Sequence, residues 1–353
     1  IGGKGICLGP QNFLGRAYQQ IPVGITVEGA NILTRSLILF GQGAIRCHPY
    51  VLKEMDAARR GDLDAFDVAF WGHVGYTLQN AAGAVVMGVT GSRFVPVPAS
   101  VAPETRRYYQ QLTRFSSAFA FLADLAMGTL GGALKRKEKL SARLGDILSL
   151  MYLASATLKR YEAEGRQSAD APLMHWAIRD CLFRIQSAFE GVIANFPNRL
   201  SAILLWRLVV FPLGRPHVMP SDQLGHEVAR LLIEPSPSRD RLTCDVFIPT
   251  DLEEPVAALE AALEAAIAAE PVEAKVRQAV KGKRFTPGIV VGGGVDALYD
   301  QALAEGILTQ DEYAVIQRRG ELRDQVIRVD DFPYDFGLKA ALADVSAPCC
   351  RAA

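Results

Sequence analysis

From Leu63 to Ala194 the chain is a succession of long apolar and amphipathic runs joined by short breaks, and that pattern commits this stretch to antiparallel helices. Leu63–Met87 is long and apolar. Pro103–Leu134 opens on proline, which suits a first helical position, and has Gly131-Gly132 near its end. Lys135–Gly165 begins with the charged turn Lys-Arg-Lys-Glu-Lys. It continues in a core stripe of Leu144, Ile147, Leu148, Met151 and Leu158. Pro172–Ala194 is amphipathic, and the short runs Val51–Arg60 and Ser201–Phe211 flank the series. Residues 30–211 are therefore expected to be almost wholly helical, around four long helices.

The ends differ in character. Residues 1–27 are rich in glycine and proline and read as irregular or extended, with Ile21–Val27 strand-like. A helix is expected from about Ala30 to Arg46, on the recurrence of Ile32, Leu33, Leu37, Phe40 and Ile45, and His48-Pro49 ends it. After Phe211, prolines at 212, 216, 220, 235 and 237 punctuate the chain. Helices are expected at Ser221–Ile233 with Ser221 as N-cap, at Val256–Ala269, after a break at Pro271–Lys281, and as a hairpin of Val295–Glu305 and Gln310–Val329. Strand is expected only near residues 21–27 and 244–248, and the tail from Asp330 reads as a partly mobile strap.

Composition excludes several classes. Acidic and basic residues balance at 38 each in 353 residues, which does not suit a nucleic-acid binder. The six cysteines form no CxxC pair, as in a reduced cytosolic protein. The apolar windows Ala81–Ala102 and Ala202–Phe211 are broken by Gly, Pro or Arg, so no transmembrane helix is expected. The opening Ile-Gly-Gly-Lys-Gly reads as the interior of a longer protein. Five histidines are dispersed, with no i,i+4 pair and no metal constellation. His48 reads as a cap or surface residue, and Lys135–Lys139 as a solvated helix start, with contact to the phosphates of a ligand as the alternative for the lysines. Gly292-Gly293-Gly294 lacks the last glycine of a dinucleotide loop and reads as a plain loop.

Two features stand together near the start: the glycine loop Gly2-Gly3-Lys4-Gly5, and Thr26-Val27-Glu28-Gly29-Ala30-Asn31 followed by Arg35. Taken alone, the loop fits a turn and Glu28 fits a helix cap. A carboxylate such as Glu28 can also remove an acidic C–H proton if it is desolvated and aimed. A helix N-terminus favours its anion, while burial opposes it. Gly29 beside it lets the backbone turn tightly and leaves room for a substrate.

In combination these motifs resemble the C-terminal signature of acyl-CoA dehydrogenases. Phe40-Gly41-Gln42-Gly43-Ala44-Ile45-Arg46 looks closer still to the enlarged bacterial fatty acyl-CoA dehydrogenases. The resemblance implies an all-α fold: residues 1–47 end the dehydrogenase helical domain, 48–338 form the bacterial-type C-terminal domain, helical to about 211 and then a helical extension, and 339–353 are a tail. It implies that Glu28 takes the α-proton of a fatty acyl-CoA, that Gly2, Gly3 and Gly5 lie against FAD, and that Gly29 borders the substrate. It further implies β-oxidation, an electron-transfer flavoprotein as partner, a homo-oligomer, and a cytoplasmic location with peripheral inner-membrane contact as the secondary reading. An acyl-CoA oxidase and a helical docking module that is inert when isolated are the alternatives. Ala30 and Ile32 stand where many relatives have threonine and glutamine, and Val27 where an aromatic residue is common. Those flavin contacts are not carried over.

Overall fold

The structure, a computed structural model, describes residues 13–27, 41–197, 210–288 and 297–329, with the single positions 5, 202, 203, 205 and 334. Among these residues it is helical and contains no strand. The chain divides into two compact units, Val23–Arg239, and Asp240–Ala353 taken with Ile1–Pro22.

The first unit is built on α3 (Val51–Arg60), α4 (Leu63–Val89), α5 (Pro103–Leu130), α6 (Glu138–Ala163) and α7 (Ala171–Ala194). Before them in the chain come α1 (Phe13–Val27), whose residues are divided between the two units at Pro22, and the single turn α2 (Gly43–Arg46). Local chemistry sets the boundaries. Gly61 ends α3 in the left-handed region at φ 70°, where its N–H reaches the Ala57 and Ala58 carbonyls. The next residue, Asp62, starts α4 by accepting from the Ala65 N–H. Gly131, at φ 50°, closes α5.

The core lies among α5, α6 and α7. Leu144, Ile147, Leu158, Ile178, Ile185 and Phe189 are fully enclosed, and the Phe115 and Phe189 rings stack with centroids 5.5 Å apart. Glu162 of α6 holds the start of α5, accepting from the Ala102 N–H and the Thr105 hydroxyl. Burial pushes its carboxyl up, but these bonds and Arg166 outweigh that and hold it below the usual range. The helix α8 (Asp222–Ile233) packs on α7, and Ser221 caps it through the Leu224 N–H as expected.

The second unit has its own core. Here α10 (Pro255–Lys281) packs against α12 (Gln310–Ile327), which also meets α11 (Ala297–Ala304); α9 (Pro237–Thr243) precedes them in the chain. Thr309 and Glu312 form a reciprocal capping box at the start of α12. Val276, Phe285, Tyr299, Ala302 and Ile316 fill the interior.

Five expectations are corrected. Ile21–Val27 is helical, inside α1. The β-branched run favours strand only weakly, and with no neighbouring strand its backbone groups are satisfied within a helix. Residues 244–248 also form no strand, and Phe247 stands 85% exposed with nothing to pair it. Pro271 does not break α10, which runs through it. Leu148 is 38% exposed, while Leu144, Ile147 and Met151 of the same stripe are buried. At 100° per residue it falls at the edge of the buried face. The segment Pro103–Arg136 is long and apolar enough to cross a bilayer, against expectation. In this fold its α5 part buries Leu112, Phe115, Ala118 and Leu122 in the helical core. Residues 30–40, most of 201–209, Gly292–Gly294 and nearly all of the tail lie outside the described residues.

Candidate functional site

Most of the expected dehydrogenase machinery falls outside the described residues. Gly2, Gly3, Glu28, Gly29 and Arg35 are among those not described. Gly5 is described, half-buried in a 3₁₀ turn. Past the Glu28 motif, the described chain resumes at Gly41. There Gly41, Ala44 and Ile45 meet Met127, Gly131 and Leu134 around an apolar cavity of about 280 Å³. The chain stretch that carries the dehydrogenase-like wording thus seats its end against the α5 corner. Lys135 is at the cavity edge, and Lys135, Arg136, Lys137 and Lys139 are all exposed, in keeping with a solvated helix start.

The fold also gathers a polar cluster that linear spacing hides. His48 precedes α3, Glu54 lies on α3, His73 and Thr77 on α4, and Asp124 on α5. These positions are separated by as many as 76 residues in sequence, so only the packing of α3 on α4 and α4 on α5 unites them. His48 Nε2 is 3.0 Å from Asp124 Oδ1, and His73 Nε2 is 3.9 Å from the same oxygen. His73 Nδ1 is 2.9 Å from Glu54 Oε1. The Thr77 hydroxyl donates to Asp124 Oδ2 at 2.8 Å. Tyr50 and Tyr76 flank the His48 ring, with Tyr76 edge-on at 5.3 Å.

His48 is a cap, as expected, but not a surface residue: its side chain is 7% exposed. Its Nδ1 accepts the Tyr50 and Val51 N–H groups at 3.2 and 3.1 Å, serving the otherwise open start of α3. An N-cap of this kind is worth ~1 kcal/mol. Accepting at Nδ1 places the neutral ring's proton on Nε2. That atom is buried and lacks a well-aligned acceptor, although Asp124 Oδ1 is close. The two observations agree if the N–H points off the line to the carboxylate. Burial holds the His48 imidazole below its usual range, with Asp124 pulling the other way.

Beside the cluster, between α3 and α4, lies an open cleft of about 530 Å³ lined by Tyr50, Lys53, Asp56, Arg60, Asp64 and Val68. Its mixed charges recommend no single ligand. Elsewhere His217 is buried against Phe115, and its backbone is held on both sides by Gln186. Burial, with help from the Arg114 cation, pushes its imidazole down to about 4. His175 bonds the Tyr108 hydroxyl at 2.8 Å. Both rings are thus engaged in packing and hydrogen bonds within the first unit.

The family described as acyl-CoA dehydrogenase, C-terminal, bacterial type covers residues 45–332. No solved structure matches the chain.

Proposed function

The chain belongs to the bacterial-type acyl-CoA dehydrogenase C-terminal family, and from that membership we propose that it is the C-terminal part of an FAD-dependent fatty acyl-CoA dehydrogenase of β-oxidation. The family as a whole is oxidoreductase. The observation that carries the finer reading is the junction of two signals. The matched region starts at residue 45, where the dehydrogenase-like stretch with Gly2-Gly3-Lys4-Gly5 and Glu28-Gly29 ends.

In this reading Glu28 takes the proton α to the thioester carbonyl, and Gly29 leaves room for the acyl chain. FAD, when bound, supplies the acceptor for the β-hydride. The resemblance sets Gly2, Gly3 and Gly5 against its diphosphate, where backbone amides without side chains can approach closely. Only Gly5 of that loop is described, so the described residues form no cradle for FAD. Electrons then pass to an electron-transfer flavoprotein, and the enzyme is a cytoplasmic homo-oligomer, most simply a symmetric dimer.

The test compares this chain with a longer polypeptide that also carries a flavin domain. Each is given FAD and a fatty acyl-CoA, and enoyl-CoA is measured with and without an electron-transfer flavoprotein. The reading expects product from the longer protein, dependent on the acceptor. Fast turnover on oxygen alone would make it an oxidase. A longer protein that binds FAD but forms no enoyl-CoA would leave these helices as a docking module.

A further inference from the structure

The His48–His73–Asp124 cluster is used by no step of the dehydrogenase reading, and three observations give it a chemistry of its own. The first is geometry. Donor atoms of His48, His73 and Asp124 all lie within 4.8 Å of one another. Two of the contacts, 3.0 and 3.9 Å, bracket the roughly 3–3.5 Å between ligands that metal bonds of ~2 Å impose. The second is a buried ring nitrogen in poor hydrogen-bond alignment. His48 Nε2 is buried and lies 3.0 Å from Asp124 Oδ1 without a well-aligned hydrogen bond to it. The third is charge. Asp124 and Glu54 are both sheltered, and among the described residues no lysine or arginine pairs with either. Among the described residues, the basic groups that pair with them are imidazoles.

The surroundings orient two of the three ligands. Glu54 holds His73 Nδ1, which leaves the Nε2 lone pair directed inward, the carboxylate–histidine arrangement that supports metal ligands. Thr77 occupies Asp124 Oδ2, so that Oδ1 is the oxygen that faces the two imidazoles. His48 is the costly ligand. Its Nδ1 accepts two backbone N–H groups, so a cation at Nε2 must send the ring proton to Nδ1 and break the cap of α3. The cap is the weaker contact of the two, and its loss leaves a local signature.

We propose that His48 Nε2, His73 Nε2 and Asp124 Oδ1 hold one divalent cation of the zinc, cobalt and nickel class, the class that imidazole with a carboxylate suits. The ion ties the entry of α3 to α4 and α5. The site stands independently of the dehydrogenase reading.

The chelator-stripped chain is titrated with Co²⁺, and Zn²⁺ is then added. One Co²⁺ per chain should bind with visible d–d bands, and Zn²⁺ should displace it. A hundredfold excess of Zn²⁺ over its Kd should raise the melting temperature by about 5 °C. The amide resonances of Tyr50 and Val51 should shift, which coordination by a surface histidine would not cause. Asp124→Asn and His73→Gln should lose the bands while keeping helical circular dichroism, and His226→Gln, altered at an exposed site, should keep them. If the two site variants do not fold, the wild-type titration and the Tyr50 and Val51 shifts decide. No bands from the folded wild-type chain at millimolar Co²⁺, bands without those amide shifts, or bands that survive His73→Gln overturn the proposal.

Discussion

At His217, burial makes stability depend on pH. The folded protein keeps this imidazole neutral down to about 4, whereas in the unfolded chain it protonates near 6.5. As pH falls from 6.5 towards 4 the unfolded state takes up a proton that the folded state refuses, so stability is lost in that window and is complete above it. The loss is at most about 3 kcal/mol. His217→Phe keeps a ring beside Phe115 and the backbone bonds to Gln186 but cannot titrate. Urea unfolding at pH 7 and pH 4.5 should show a smaller drop in the variant than in the wild type. Equal drops would mean that His217 does not carry the effect. His48 carries a different consequence. His48→Ala removes the acceptor for two N–H groups at the start of α3 and leaves Asp124 facing a void. Thermal melts should show a loss of about 1–3 kcal/mol, and a change within a few tenths would contradict the cap.

Among the elements, α4 owes its seat to a missing side chain. A Cβ added at Gly72 would run into the Tyr50 ring. Alanine is the better helix former by about 1 kcal/mol, yet the forced shift of Tyr50 costs about 1–3 kcal/mol and disturbs the turn that His48 caps. Gly72→Ala should therefore be neutral to destabilising by chemical denaturation, and a clear gain would show that the ring moves freely. On α6, adjacent positions should differ. Ile147 is fully enclosed and Leu148 is not. Ile147→Ala should cost about 2–5 kcal/mol, while Leu148→Ala should stay within about 1 kcal/mol, as measured by urea midpoints. Similar costs at both would mean that the buried face extends further round than the fold shows.

Across the whole molecule, the helices that follow from pattern alone are the ones with strong local signals. Proline at the start of α5, Ser221 before α8 and the apolar stripe of α6 each act within one or two turns, so they can be read from the chain. The strand expected at Ile21–Val27 failed because β-branched residues state a preference that only a partner strand can realise. The His48–His73–Asp124 cluster was illegible because its members sit on separate segments, and nothing in their spacing encodes the packing of α3, α4 and α5. The resemblance to a dehydrogenase signature rests on Glu28-Gly29 and the glycine loop, which lie within one short stretch and so are visible in the chain itself.

That motif carries the central claim, and the α-proton of the substrate tests it most directly. A full-length protein with Glu28→Gln is mixed with a fatty acyl-CoA in deuterated buffer, and the exchange of the α-hydrogen is followed beside the rate of flavin bleaching. The substitution preserves size and much of the hydrogen bonding but removes the basic carboxylate. The account predicts that acyl-CoA still binds, and that α-exchange and bleaching both fall by the roughly 100- to 10,000-fold that losing a general base costs. A Glu28→Gln protein that melts lower yet exchanges and bleaches at the wild-type rate would contradict the account, and would make Glu28 a helix cap and place the base elsewhere.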